Sequence, residues 1–153
     1  MYSKEELKQH KEDFWNGFAE YCYTLPRLAH RKDLFILYDT KQKGVELKFD
    51  IAKKSVAVVL EFNHRIIDKR IEMYEHFCAY KVMFADEFTD NLDALQWSPF
   101  YLLETGKEVS RIYIELPNIS YLNRNNWQQL YEFMAPNMIR MEDAFLAIKE
   151  TIE

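Results

Sequence analysis

Glu46-Leu47-Lys48, with Asp39 upstream, spells the E-x-K element of a magnesium-dependent phosphodiesterase. In such a site carboxylate oxygens hold the hard cation and an ammonium lies beside the attacking water. The residues around it have the period-two alternation of a half-buried strand, which puts Glu46, Lys48 and Asp50 on one face. Glu61 on a following strand, and Arg111, Tyr113 and Glu115 on another, have the same phase. The candidate catalytic residues are therefore Asp39, Glu46, Lys48, Glu61 and Glu115. Mg2+ is the only cofactor they imply, and only under this reading. The competing reading is cross-strand ion pairing on a wet face, at roughly 0.2–1 kcal/mol per pair. A three-letter pattern recurs in any strand with a solvated face, and no proline precedes Asp39.

A second group is basic. Arg27, His30, Arg31 and Lys32 precede the first strand, and His64, Arg65, Lys69 and Arg70 follow the second. The candidate nucleic-acid-binding residues are Arg27, Arg31, Lys32, Arg65, Lys69 and Arg70, which would form a phosphate-binding patch if they met in space. Asp33, Asp68 and Glu72 dilute both clusters, so solvated helix faces are the alternative. Other chemistries lack their signatures. His10, His30, His64 and His76 have no metal-ligand spacing, so no metal site is expected. No serine sits in a G-x-S-x-G elbow. Gly17, Gly44 and Gly106 are too scattered for a dinucleotide or P-loop cradle. Cys22 and Cys78 read as two reduced core thiols of a cytoplasmic chain.

The elements that must position these groups follow from periodicity. Ser3 and Glu6 have capping-box spacing ahead of a helix carrying Leu7, Phe14, Phe18 and Cys22, which Pro26 stops. Gly17 inside that helix implies close approach of another element. Residues 25–39 have no clear period; Leu34 to Tyr38 could be strand or helical turn. Val45–Ile51 and Ser55–Phe62 read as paired strands, the second central. Asn63 is the expected cap of a helix from Ile67 that fades through Phe84. Leu95–Leu103 and Ser110–Leu116 form a second strand pair turning near Thr105-Gly106, with Pro99 marking an edge or a bulge. The last helix begins near Asn123–Asn126 and keeps its apolar phase through Pro136, which predicts one long helix. Trp15, Trp97, Trp127 and Tyr131 fall on core phases. The order α-ββα-ββα predicts an α+β fold, one mainly antiparallel sheet with helices on one face. Likeness between Val59–Phe62 and Tyr113–Leu116 raises an internal ββα repeat.

The chain has 153 residues, expected to form a single domain over 1–153. Three Trp, 10 Tyr and 11 Phe supply a large core, and a net charge of −5 argues against bulk nucleic-acid binding. A polar N-terminus and the absence of long apolar runs predict no signal peptide and no membrane association.

Phe14-Trp15-Asn16-Gly17-Phe18, the strand pair after Gly44 and Trp127 opening a long terminal helix resemble domain-of-unknown-function family 4268, a bacterial family. The resemblance runs from about Leu7 to Ile148. It implies an accessory role around nucleic acid or genome defence, because members resemble C-terminal modules joined to nuclease-like segments. It carries no catalytic residues to this chain.

The expected function is a non-enzymatic protein-interaction or accessory module, with a protein partner or self-association as a homodimer. The alternative is a nuclease-like or nucleic-acid-binding protein of the PD-(D/E)xK type. A small-ligand pocket between sheet and helices is a third expectation.

Overall fold

The computed structural model describes residues 2–35, 38–90 and 92–152. Ser3 caps the first helix, α1 (Lys4–Tyr23), its hydroxyl accepting the Glu6 N–H at 3.1 Å. Two strands follow, β1 (Val45–Ile51) and β2 (Ser55–Phe62), then the helices α2 (Ile67–Cys78) and α3 (Lys81–Glu87). A second hairpin, β3 (Leu95–Leu102) and β4 (Glu108–Pro117), leads to the closing helix α4 (Trp127–Lys149). The fold is α+β, in the order α-ββ-α-α-ββ-α. Among the described residues no helix is long and apolar enough to cross a membrane.

All strand pairings are antiparallel and the order is β1-β2-β4-β3, so β2 and β4 are interior. Two hairpins meeting through their second strands is what a duplicated ββα unit produces, although α3 has no counterpart in the second half. Val56, Val58, Leu60 and Phe62 of β2 join Val45, Leu47, Ile112, Ile114 and Leu95 on the face that the helices cover. Phe62 packs on Tyr74 and Phe77 of α2, Phe49 on Trp15 and Phe18 of α1, and Trp97 on Phe84 of α3.

Three local expectations are corrected. The helix after Asn63 is two helices, because Tyr80 leaves helical geometry (φ −100°, ψ 35°). Asn63 does not cap it: Ile66 occupies the cap position without a side-chain bond, while the Asn63 amide turns back to the sheet. The polar side of the sheet is not uniformly wet, since Glu61 and Arg111 are 3% and 1% exposed. Between Leu25 and Asp39 the described residues make turns and bends, with Phe35 in left-handed geometry (φ 70°). Ile36 and Leu37, within the ambiguous apolar run, lie outside the described residues.

Two other features follow the sequence closely. β3 is both an edge strand and bulged, the register slipping between Ser98 and Tyr101 around Pro99. Helix α4 runs unbroken through Pro136. Proline cannot donate to the helix, and the neighbouring Asn137 Nδ2 donates to the Phe133 carbonyl at 2.9 Å.

Gly17 is the close-approach point of α1 and α4. The Tyr131 hydroxyl donates to the Phe14 carbonyl at 2.6 Å, and a Cβ at position 17 would lie 2.5 Å from that oxygen. The ring cannot swing clear, because Phe14, Phe18, Tyr21 and Trp127 surround it. Gly17→Ala gains about 1 kcal/mol of helix propensity but displaces a buried hydroxyl, which costs roughly 1–3 kcal/mol. The expected outcome is a lower thermal midpoint for Gly17→Ala. Tyr131→Phe in that background removes the clashing atom, so the double variant loses less stability than the two single losses combined. Equal additivity in urea unfolding would contradict the contact.

Candidate functional site

The face without helices carries Glu46, Lys48 and Asp50 from β1, Ala57, Val59 and Glu61 from β2, and Val109, Arg111, Tyr113 and Glu115 from β4. The β3 bulge adds one residue and so reverses which side chains point to this face. Before it, Ser98 shares the face with Arg111; after it, Tyr101 does, paired to Val109. The re-aimed Tyr101 ring closes on Arg111. The guanidinium carbon lies 3.5 Å from the Tyr101 centroid and 4.1 Å from that of Tyr113. One guanidinium nitrogen donates to Asp50 at 3.0 Å, while the buried Nε has no protein partner. Ala57, Val59 and Val109 are buried beneath this layer, yet Ala57 and Val59 stand outside the main core cluster. A cation held against two tyrosine rings, themselves edge-to-face 5.7 Å apart, thus dries the centre of a face that no helix covers.

The candidate catalytic residues sit around that centre. Glu46 and Glu61 are cross-strand neighbours, and one amide group, Asn63 Nδ2, donates to both, at 2.8 Å to Glu61. Lys48 Nζ reaches Glu61 at 3.5 Å. Asp39 lies apart from this cluster and is exposed; its carboxylate takes the Lys41 backbone N–H at 2.8 Å and the Lys41 ammonium at 3.0 Å. Those two bonds hold its carboxyl below the usual carboxylate range. Glu115 pairs with Ala57, four residues along β2 from Glu61, or ~13 Å at the strand rise. Among the described residues no three His, Cys, Asp or Glu side chains are grouped to hold a metal ion. Asp50, Ala57, Tyr101 and Glu115 instead line a cavity of about 910 Å³ shared by the β1–β2 turn and the β3–β4 hairpin. Strand register puts those two turns at opposite ends of the sheet, so the second hairpin bends back over the open face.

The basic clusters divide into spent and unspent charges. Arg27 forms a two-pronged pair with Asp143 of α4, at 2.8 and 2.9 Å. Arg31 is held by Asp33 and by Glu142 of α4, with Phe35 stacked 4.2 Å away. Burial, and then the neighbouring Glu142 carboxylate, push the Tyr38 phenol up to about 12. Arg70 is buried: Nε donates to Ser110 at 3.1 Å, and its outer nitrogens reach the Glu108 carboxylate and carbonyl at 2.7 and 3.0 Å. Lys32, Arg65 and Lys69 are exposed and make no ion pair among the described residues. The thiols are quiet: burial pushes Cys22 up to about 12 and raises Cys78.

Arg70 also marks a surface that periodicity did not single out. Ile66 and Ile67 stand one turn before it on α2, 45% and 51% exposed. Phe100 in the bulge, 61% exposed, lies 5.9 Å from its guanidinium; Leu102, 70% exposed, pairs with Glu108. Arg70 thus links two pairs of exposed apolar side chains, Ile66 and Ile67 one turn before it and Phe100 and Leu102 on the strand it is bonded to. The legible signal was Pro99 beside Phe100: a bulge on an edge strand turns alternate side chains out of phase.

The profile of the family described as domain of unknown function (DUF4268) matches residues 10–149. No curated protein and no solved structure matches the chain.

Contact with both tyrosine rings makes Arg111 a structural cation. Arg111→Ala should cost about 3 kcal/mol, from lost packing and cation–aromatic contact, measured by urea unfolding. Arg111→Lys should recover less than half, because an ammonium has no planar group to lie flat against a ring. Asp50→Asn should cost less than about 1 kcal/mol, since that carboxylate is partly solvated. An Asp50 loss as large as that of Arg111 would assign the stabilisation to the ion pair instead.

Proposed function

The chain belongs to the DUF4268 family, and we propose that it serves as a non-enzymatic interaction module that self-associates through the rim around Arg70. The observation that carries this reading is the exposed group Ile66, Ile67, Phe100 and Leu102. Single exposed apolar residues are ordinary on a protein surface, but several tied to one rigid buried support have the character of an interface. The support here is the buried Arg70, tied to Pro99, Glu108 and Ser110. It fixes the bulge against α2, so Phe100 and Leu102 are presented from a rigid base.

A second copy of the chain is the partner. Arg65 and Asp68 flank the two isoleucines, and Glu108 lies beside Leu102, so the rim carries both signs of charge. A two-fold copy can set each sign against its opposite, and two-fold dimers are the commonest soluble assembly. Pro99 and the bulge interrupt the edge, which favours side-chain packing over strand addition. The support for a non-enzymatic role is that the carboxylates nearest a catalytic arrangement, Glu46 and Glu61, are bound to Asn63 and Lys48.

Sedimentation velocity over a range of concentrations tests the reading. A monomer–dimer equilibrium is expected, with Phe100→Glu combined with Leu102→Glu shifting it to monomer without lowering the thermal midpoint. A strict monomer at all concentrations, or a dimer indifferent to both substitutions, would overturn it.

A further inference from the structure

His64, just before α2, and His76, in its last turn, open onto one cavity that the self-association surface does not explain. This space of about 780 Å³ lies between the β1 approach, α2 and the end of α4. Lys43, His64 and Lys69 line one part of it, and Glu72, Glu75 and His76 another, with Met73 and Ile152 as apolar wall. Neither lysine forms an ion pair among the described residues. Burial and the charges of Lys43, Lys69 and Arg65 lower the His64 pKa, which favours the neutral imidazole.

The hydrogen bonds fix what each ring offers. His64 Nδ1 accepts the Ile66 N–H at 3.0 Å, which leaves Nε2–H as a donor. Gly44 makes room for this ring: its φ is +77°, and an added Cβ would come within 3.0 Å of the His64 Cβ. At the other side the Thr151 hydroxyl donates to the Ile148 carbonyl at 2.6 Å, so its oxygen accepts from His76 Nε2 at 2.8 Å. His76 Nδ1 is then the acceptor left over. The cavity wall thus offers two ammonium groups and the His64 Nε2–H as donors, together with two carboxylates and the His76 Nδ1 as acceptors.

We propose that this cavity binds a small phosphate monoester carrying hydroxyl or amino donors. The phosphate lies against Lys43, Lys69 and the His64 Nε2–H, as charge-assisted hydrogen bonds require. The ligand's own donors face Glu72, Glu75 and His76 Nδ1. A nucleic-acid strand fits less well. It would bring further phosphates against Glu72 and Glu75, while Arg27, Arg31 and Arg70 are bound to acidic side chains elsewhere.

Isothermal titration calorimetry with ribose 5-phosphate, ribose and inorganic phosphate tests this. Ribose 5-phosphate should bind saturably and more tightly than inorganic phosphate, and ribose alone should not bind. Lys43→Gln combined with Lys69→Gln should weaken ribose 5-phosphate by roughly tenfold or more, the scale of a lost charged hydrogen bond. Both lysines are exposed, so an unchanged thermal midpoint is expected and separates this loss from unfolding. Absence of saturable ribose 5-phosphate binding, or binding unchanged in the double variant, would overturn the proposal. So would a mixed-sequence oligonucleotide binding more tightly than ribose 5-phosphate.

Discussion

A four-stranded sheet with all its helices on one side must keep its other face in order with its own side chains. Here that constraint falls on Arg111. It sits on an interior strand, opposite Glu61, where a charged group would ordinarily need water. Two tyrosine rings and one carboxylate replace the water, and the guanidinium becomes a lid over Ala57, Val59 and Val109. Arginine suits this place because its charge is spread over a flat, weakly hydrated group. The lid in turn requires the β3 bulge, since without the extra residue Tyr101 would point to the helical side. A backbone irregularity at Pro99 is thereby linked to the burial of β2.

The same bulge sets the outer surface. By turning Tyr101 inward it leaves Phe100 and Leu102 out, and Arg70 braces the bulge from the opposite side. The long helix α4 plays a similar organising part for the loop segment. Asp143 and Glu142 hold Arg27 and Arg31, and Lys149 Nζ donates to the Thr40 carbonyl at 2.6 Å. A segment without regular structure between α1 and β1 is thus fastened to a helix by charged bonds at intervals. Arginines that look like a phosphate patch in the sequence serve as those fasteners.

Period-two and helical patterns located the four strands, α1, α4 and the helical stretch that holds α2 and α3, because each buries one face and the hydrophobic alternation records it. Pro136 was legible as an interior proline, and Gly17 as a contact point, since each breaks a local rule that only packing explains. The break at Tyr80 was not legible, because the apolar phase of α2 carries into α3 without a proline or glycine to mark it. The dryness of the polar face was also hidden. Glu61, Arg111 and Tyr113 alternate as solvated residues would, and only the bulge, a shift of register against a distant strand, brings Tyr101 over them. The cavity between Lys43, His64 and Lys69 likewise depends on the β2–α2 connection packing against Gly44 at His64, which spacing along the chain does not encode.

The account turns on Arg111 being a buried cation packed against two tyrosine rings, and NMR of arginine side chains reads that state directly. Its Nε–H should give a resolved signal protected from exchange with water, and its side-chain protons should be moved upfield by the Tyr101 and Tyr113 rings, an effect lost in Tyr101→Leu. An Arg111 signal at the position of a free arginine, exchanging freely with water, would mean that the face is open and the account wrong.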